Sequence, residues 1–461
     1  MKQRRAHRTA GTGDANSVER STAAKAAVAL IAATPILATI GYGATEMWAY
    51  IPLAFLTALI VIFWIRDGLG KRGVVYSDSS LQLPLIGLIV IGLIQMLPFG
   101  GAVETGLLDL PSVRSVSLDP YATRFFTIRL VMLAIFFAAG LALISDRKLV
   151  KKFAIVIVIF GAVMAFAGIL QRLASPDAIY GMRPTPQAIP FGPFVNQHHF
   201  AAFMEMTGGM TLGLLLGDVV ERNKKALLMI ALLLMIIAVG MTGSRGGLIS
   251  TLGAAAFILF AHFYLTRRHS HESAGRFVGL KIAGVGAGIL VAVAAAVVFL
   301  SGADPLVRGL GMQAGDTDVS SGRTHFWSVA VKIFLDNPII GAGYDAFGTA
   351  FTKYDTWNGF FRVEQAHNDY LQALADGGVM AFACVAAFIV LLFKRGVSVI
   401  KNSTSPTRRS IAIGALGGCV GILIHSFFDF PLRTPSNAFF FLLLVVLATA
   451  PLGDEKAKVA E

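Results

Sequence analysis

Apolar stretches of roughly 17–23 residues recur along the chain, separated by short polar blocks, and that length matches a bilayer's hydrocarbon core at the helical rise. They predict spans at 26–43, 47–65, 81–97, 127–144, 153–171, 199–217, 226–241, 246–264, 278–300, 377–393, 411–428 and 437–451. Lipid offers no partner for an unpaired strand edge, so the spans are expected to be helices. The expected fold class is an all-α polytopic membrane protein with about twelve transmembrane helices.

The segments between spans test this layout. Every second one is basic: the tail at 1–25, then 66–80, 145–152, 218–225, 265–281, 394–410 and the carboxyl tail. Together these hold 27 of the 39 Lys and Arg residues. Twelve alternating spans produce that pattern, and the excess of Lys and Arg then puts both termini in the cytoplasm. The first stretch follows Lys2, Arg4, Arg5 and Arg8, as in a signal peptide. It is long, contains Pro35 and lacks a small-residue cleavage site, so it reads as an uncleaved first span.

The layout gives a cytoplasmic basic tail at 1–25, spans one to nine over 26–300, and a loop outside the cytoplasm over 301–376. Spans ten to twelve over 377–451 and a cytoplasmic tail at 452–461 follow. Within the loop, Ser321–Asp336 sets Phe326, Val329, Ala330, Ile333 and Phe334 at helical spacing, ending at Asn337-Pro338. Gly341–Gly348 reads as a turn, and His367–Ala375 as a helix entering span ten across Gly377-Gly378. A structured loop on one face of a membrane protein usually carries function.

Composition agrees: 55% of residues are hydrophobic and 14% charged, against about 25% charged in a soluble domain. The net charge of +12 would suit nucleic acid, but its placement in short inter-span segments is that of orientation signals. Cys384 and Cys419 fall inside spans, which supports neither a disulfide framework nor a zinc site. No GxxxxGK[ST] loop is present, so nothing supports ATP use. Gly284-Val-Gly-Ala-Gly288 lies in span nine, where small residues serve helix packing. No potential metal ligands have a diagnostic spacing, and neither metal nor cofactor is expected.

Five constellations could carry chemistry. Thr242-Gly-Ser-Arg-Gly-Gly247 places Arg245 at the outer membrane surface, as an arginine snorkelling to the interface or as an anion binder. Ser320-Ser-Gly-Arg-Thr-His-Phe-Trp327 sets Arg323 at a helix start, where the macrodipole disfavours a cation. A diphosphate partner or a nearby aspartate would each account for it. Trp327, one turn on, suits the interfacial belt. Glu364-Gln-Ala-His-Asn-Asp-Tyr370 centres on His367, with Asn368 and Asp369 beside it. A histidine there can accept a proton near neutral pH, or serve structure alone. Phe191–Ala202 offers Asn196, His198 and His199 as cavity residues or as cap and packing residues. His425–Arg433 closes span eleven with the same ambiguity.

In order, these motifs resemble the O-antigen ligase and Wzy polymerase superfamily of bacterial envelope glycosyltransferases. GPFVNQHHFAAF is similar to the family's GxFxNxNHFA stretch, TGSRGG to its Ser-Arg-Gly turn, and GRTHFW…DNPIIGAGYDAFG to its Arg-x-x-x-Trp helix and Pro-x-x-Gly-x-Gly turn. AHNDYLQALADGGV matches its HNxYLQxLxExG signature. His198 stands where asparagine is usual, and Asp376 where glutamate is usual. The resemblance implies a GT-C-like architecture and glycan transfer from undecaprenyl diphosphate to a hydroxyl of lipid A–core or a growing polysaccharide. The reaction would take place on the periplasmic face of the bacterial inner membrane. It further implies that Arg245 and Arg323 clamp the diphosphate while His367 activates the acceptor, without metal and with inversion. Asn196, His199, Trp327, Glu364, Asn368 and Asp369 would line the substrate cavity. Besides membrane lipids, donor and acceptor are the expected partners; nucleic acid is not. A secondary transporter or flippase of lipid-linked sugars is the competing expectation, which calls for functional residues near mid-membrane and internal repeats. A purely structural membrane protein is a third.

Overall fold

The computed structural model describes residues 20–71, 73–99, 115–186, 188–217, 219–265, 322–356 and 363–450. Thirteen helices lie among them: α1 (Thr22–Ile40), α2 (Tyr50–Gly70), α3 (Gln82–Gln95), α4 (Pro120–Leu143), α5 (Arg147–Ala174), α6 (Gln197–Leu216), α7 (Lys225–Thr242) and α8 (Arg245–Phe260), then α9 (Arg323–Asp336), α10 (Phe347–Tyr354), α11 (Asp369–Asn402), α12 (Pro406–His425) and α13 (Pro435–Thr449). The described strands are two residues each, Ala178–Ile179 and Arg183–Pro184, paired antiparallel. The protein is an all-α polytopic membrane protein, as its hydropathy pattern predicts. Eight helical segments are long and apolar enough to cross a bilayer, with α3 and α13 as shorter apolar helices. The ninth predicted span, at 278–300, lies outside the described residues, as do the terminal tails before Arg20 and after Ala450 and the first part of the predicted loop, 301–321.

Helix ends depart from the hydropathy boundaries where a polar first turn is capped. α4 begins seven residues before its apolar run, because the Asp119 carboxylate accepts from Ala122 N at 3.0 Å. α11 begins at Asp369, joining the helix expected over His367–Ala375 to span ten, because Asn368 Oδ1 accepts from Tyr370 N and Leu371 N, both at 3.0 Å. The loop helix starts at Arg323, one residue after Gly322 in the left-handed conformation, and stops at Asn337 as predicted.

The core is built on α6, α12 and α13, whose residues are almost all buried. α6 and α12 meet through glycines: a Cβ on Gly209 would come within 2.7 Å of Gly418 N, and one on Gly213 would overlap Gly414. Small residues let two backbones pack this closely where lipid supplies no hydrophobic drive. The sequence placed its glycine packing stripe in span nine; among the described residues the close approach is here.

α11 breaks at Gly378 (φ 63°, ψ −166°), and the break is where the loop is stitched to the bundle. The turn after α9 supplies the missing partners: Val379 N donates to Pro338 O at 2.8 Å and Met380 N to Ile339 O at 3.2 Å. In return Ala342 N donates to Ala375 O at 2.9 Å and Gly343 N to Asp376 O at 3.0 Å. From α3, buried Gln95 donates through Nε2 to Ile340 O (2.5 Å) and Asp376 O (2.8 Å) and accepts from Tyr344 N (2.9 Å). Every backbone group released at membrane depth needs such a partner.

A charge set locks the same junction. Arg433, in the α12–α13 connection, donates to Asp345 Oδ1 at 2.5 Å and to Asp376 Oδ2, with Asp376 1% exposed. Asp376 also accepts from Asp345 N at 3.1 Å and Gln372 Nε2 at 3.2 Å. Burial alone would raise the Asp345 carboxyl, but the Arg433 and Arg129 guanidiniums bring it below the usual range.

Two outcomes follow. Arg433→Leu leaves Asp376 buried and unpaired, with an expected loss of about 3–5 kcal/mol of stability. Arg433→Leu/Asp376→Asn should recover much of it, read by denaturant unfolding of the detergent-solubilised protein. Equal loss in single and double variants would refute a pairwise lock. The second outcome concerns pH. A carboxyl depressed on folding stabilises above its unfolded value, near 3.9, and loses that contribution as pH falls through its lowered value. The groups that lower the Asp345 carboxyl are the Arg433 and Arg129 guanidiniums and the Gln365 amide, none of which titrates between pH 8 and 5, so the melting-point gap between wild type and Asp345→Asn should stay constant from about pH 8 to 5 and narrow only below about pH 4. A gap that closes between pH 8 and 5 would contradict this.

Candidate functional site

Four helix starts and one inter-helix connection meet at one end of the bundle. α6 starts at Asn196, whose Oδ1 accepts from His198 N at 2.8 Å. α8 starts at Ser244, whose Oγ accepts from Gly247 N at 3.1 Å and bonds His198 Nδ1 at 2.8 Å, and Arg245 is the next residue in the chain. α9 starts with Arg323 and α11 with Asn368, and residues 426–434 join α12 to α13 beside them. Asn368 Nδ2 donates to Phe427 O at 3.1 Å, and Asp369 accepts from Ser426 Oγ at 2.8 Å. These bonds hold the α11 start against the connection.

At the centre stands His367. Its backbone is left-handed (φ 51°), a conformation few non-glycine residues adopt. The turn aims its Nδ1 at Asp429 Oδ1, 3.0 Å away, with the ring stacked on Phe326 and edge-on to Phe430. Asp429 is 1% exposed and His367 31%, so the carboxylate is sealed behind a ring that is reached from outside. Burial pushes the Asp429 carboxyl up; the hydrogen bond from His367 and the neighbouring imidazoles outweigh it and hold the group well below the usual range. An ionised carboxylate only accepts, so Nδ1 carries the hydrogen, and in the singly protonated ring the lone pair falls on Nε2.

Further polar groups surround this pair. His198 and His199 both lie within the electrostatic reach of Asp429. His199 Nδ1 bonds Thr434 Oγ1 at 2.7 Å, and its ring packs edge-on to Phe430. Deeper, His425 Nδ1 bonds Glu205 Oε1 at 2.7 Å, with both side chains sealed. The Arg323 charge acts on both His198 and His425. The fold thus draws Arg323, His198, His199 and His367 to one polar centre, and half-buried Arg245 follows Ser244, whose hydroxyl bonds His198.

The other sequence candidates are placed differently. Asn196 and Asn368 spend their side-chain oxygens as helix caps. Asp369 anchors the connection, accepting also from Leu432 N at 3.3 Å. Trp327 lies one turn along α9 with its Nε1 buried and without a partner among the described residues. Glu364 is exposed in the segment that precedes α11, its carboxylate against Gly348 in the first turn of α10. Among the described residues no group of three or more His, Cys, Asp or Glu side chains could hold a metal ion.

Sequence reasoning did not single out Asp429, Glu205 or Gln95. Asp429 falls within the connection His425–Arg433, noted as a motif, but nothing in the spacing links it to a histidine 62 residues earlier. An acid inside the apolar run of α6 was the available signal for Glu205.

Residues 230–386 match the family model Wzy_C, described as O-Antigen ligase. The chain is also similar to the exopolysaccharide production protein ExoQ of Rhizobium meliloti (strain 1021), 22% identical over 169 residues. That match covers 35% of this chain and 38% of the relative, so the chain spans well under half of the curated relative's length. Both findings bear out the resemblance to the O-antigen ligase and Wzy polymerase superfamily drawn from the motifs. The matched family segment includes Arg245, Arg323 and His367; Asp429, His198 and His199 lie outside it.

Proposed function

We propose that this protein is a membrane glycosyltransferase of the O-antigen ligase or polymerase type. It moves a glycan from an undecaprenyl-diphosphate donor to a hydroxyl of lipid A–core or of a growing polysaccharide, on the periplasmic face of the inner membrane. The observation that carries this reading is the His367–Asp429 pair, a reachable imidazole whose second nitrogen is held by a sealed carboxylate. That is the arrangement a general base requires.

In the proposed step, His367 Nε2 takes the proton of the acceptor hydroxyl as its oxygen attacks the anomeric carbon. The bond from that carbon to the diphosphate oxygen breaks, and its electron pair leaves with the diphosphate. Arg245 and Arg323 bear the charge that develops there, a task suited to planar, permanently charged guanidiniums. No metal is called on, and attack opposite the leaving group inverts the anomeric centre. Asp429 fixes the tautomer and stabilises the imidazolium, and is a positioning residue rather than a catalytic one. The diphosphate linkage supplies the driving energy, so the reaction needs no nucleotide.

One observation favours the competing reading of a flippase for lipid-linked sugars: the sealed His425–Glu205 pair between α6 and α12. Paired ionisable groups inside a bundle are common in proton-coupled transporters.

In a deletion strain, His367→Ala should abolish transfer while the protein is still inserted. Long chains stranded on undecaprenyl identify a ligase, and single repeats a polymerase. Surface polysaccharide and undecaprenyl-linked pools both matching wild type would overturn the reading and bring the flippase forward. Asp429→Asn should slow turnover on the order of 10²- to 10⁴-fold, as a misoriented base does. Arg323→Lys should be poorly tolerated if the contact is bidentate; full activity there would remove Arg323 from the clamp.

A further inference from the structure

The buried carboxylate behind His367 is supplied on one side only. Asp429 Oδ1 accepts from His367 Nδ1 at 3.0 Å and from Phe430 N at 2.9 Å. Its second oxygen, Oδ2, is sealed and has no hydrogen-bond partner among the described residues. An ionised oxygen cut off from both water and donors is costly, and native folds seldom leave one so.

A matching orphan belongs to the same polar centre. His199, in the first turn of α6, is 6% exposed, and its Nε2 is likewise sealed without a partner among the described residues. Its Nδ1 and carbonyl are both engaged by the start of α13: Nδ1 bonds Thr434 Oγ1 at 2.7 Å, and the carbonyl accepts from Asn437 Nδ2 at 3.0 Å. Phe430, next in the chain to Asp429, meets the His199 ring at 4.8 Å and the His367 ring at 4.9 Å, edge-on to each. The Asp429 charge and the His199 ring act on each other electrostatically. With the hydrogen on Nε2 and Thr434 donating to the bare Nδ1, His199 carries the donor that Oδ2 lacks.

We infer that His199 is a second positioning residue for the base: its Nε2–H serves Asp429 Oδ2 through one ordered water, as His367 Nδ1 serves Oδ1 directly. The inference rests on the reading of His367 as the base. A water in this place has a donor on one side and an ionised acceptor on the other, which is what holds a water inside a fold. With both oxygens occupied, rotation of the carboxylate would break the bonds on both sides, so the His367 ring stays aimed. His199 touches no substrate in this arrangement; it acts on the reaction through Asp429.

The test is a pulse-chase of radiolabelled sugar in the deletion strain, following label from the undecaprenyl-linked pool into polysaccharide at equal amounts of inserted protein. His199→Leu should slow the chase about 10- to 100-fold, as withdrawal of a donor from a buried charge does. His199→Gln, which keeps an N–H near the place of Nε2, should restore most of the rate. In His199→Leu/Asp429→Asn the histidine change should add nothing to Asp429→Asn, because His199 works through that carboxylate. Effects that multiply in the double variant, or a glutamine variant as slow as leucine, would overturn the inference, while a dead His367→Ala still upheld the base. Wild-type transfer by His367→Ala would remove both. Where His199→Leu fails to insert, nitrogen NMR of isotope-labelled histidine in the detergent-solubilised wild type decides. The His199 signal, assigned by its loss in His199→Gln, should show the hydrogen on Nε2; a hydrogen on Nδ1 would overturn the inference.

Discussion

The Arg433 guanidinium, clamped between Asp376 and Asp345, is the contact on which the arrangement of this end of the bundle depends. Three separate pieces of chain meet at it: the broken first turns of α11, the turn that follows α9, and the connection between α12 and α13. A buried ion pair seldom adds net stability over apolar packing, because both charges lose their water. What it supplies here is register. Asp376 sits just before the Gly378 break, where α11 backbone groups must find partners outside the helix. With Asp376 held, the Pro338–Gly343 segment can exchange hydrogen bonds with residues 375–380, and Gln95 can close the remaining gaps.

The same clamp fixes both halves of the polar centre. Asp429 lies four residues before Arg433, and His367 lies nine before Asp376. Asp369 bonds Ser426 and Leu432, so the connection is tied to the α11 start at several points besides the His367–Asp429 contact. The left-handed backbone at His367 is tolerable because its surroundings determine it: Asn368 caps the next turn, Phe326 covers one ring face and Phe430 meets the edge. Rigidity on this scale suits the base proposed for His367, since small displacements of a base cost rate steeply.

Much of this was legible in the sequence, and the boundary of legibility is physical. Apolar runs revealed the helices because bilayer thickness dictates their length, Arg245 and Arg323 stood out as charges beside glycines at helix starts, and His367 stood out by the polar residues clustered around it. Partnerships across the fold were not legible. Asp429, Arg433 and Gln95 lie in segments whose local patterns suggest only a turn or a helix end, and each acquires its meaning from a residue far away in sequence. Arg408 shows the converse: in sequence it counts as an orientation charge, yet it is buried and donates to Leu447 O and Ala450 O at the end of α13. Charge counting sees a lysine or arginine without seeing whether the fold has a carbonyl waiting for it.

Two imidazole–carboxylate pairs sit close together here, and their surroundings separate their uses. In His425–Glu205 both partners are sealed between α6 and α12, with Gly246 close against the free edge of the imidazole. The His425 side chain is 1% exposed, so its free nitrogen is closed to a substrate hydroxyl in this conformation. In His367–Asp429 the carboxylate is sealed but the ring is reached from outside, so of these two pairs it is the one open to a bound molecule. The family-matched segment ends at residue 386, before Asp429, His425 and Arg433. The half of the pair that faces outward therefore lies within the matched segment, and the half that orients it comes from the α12–α13 connection, which only the folded chain brings into contact.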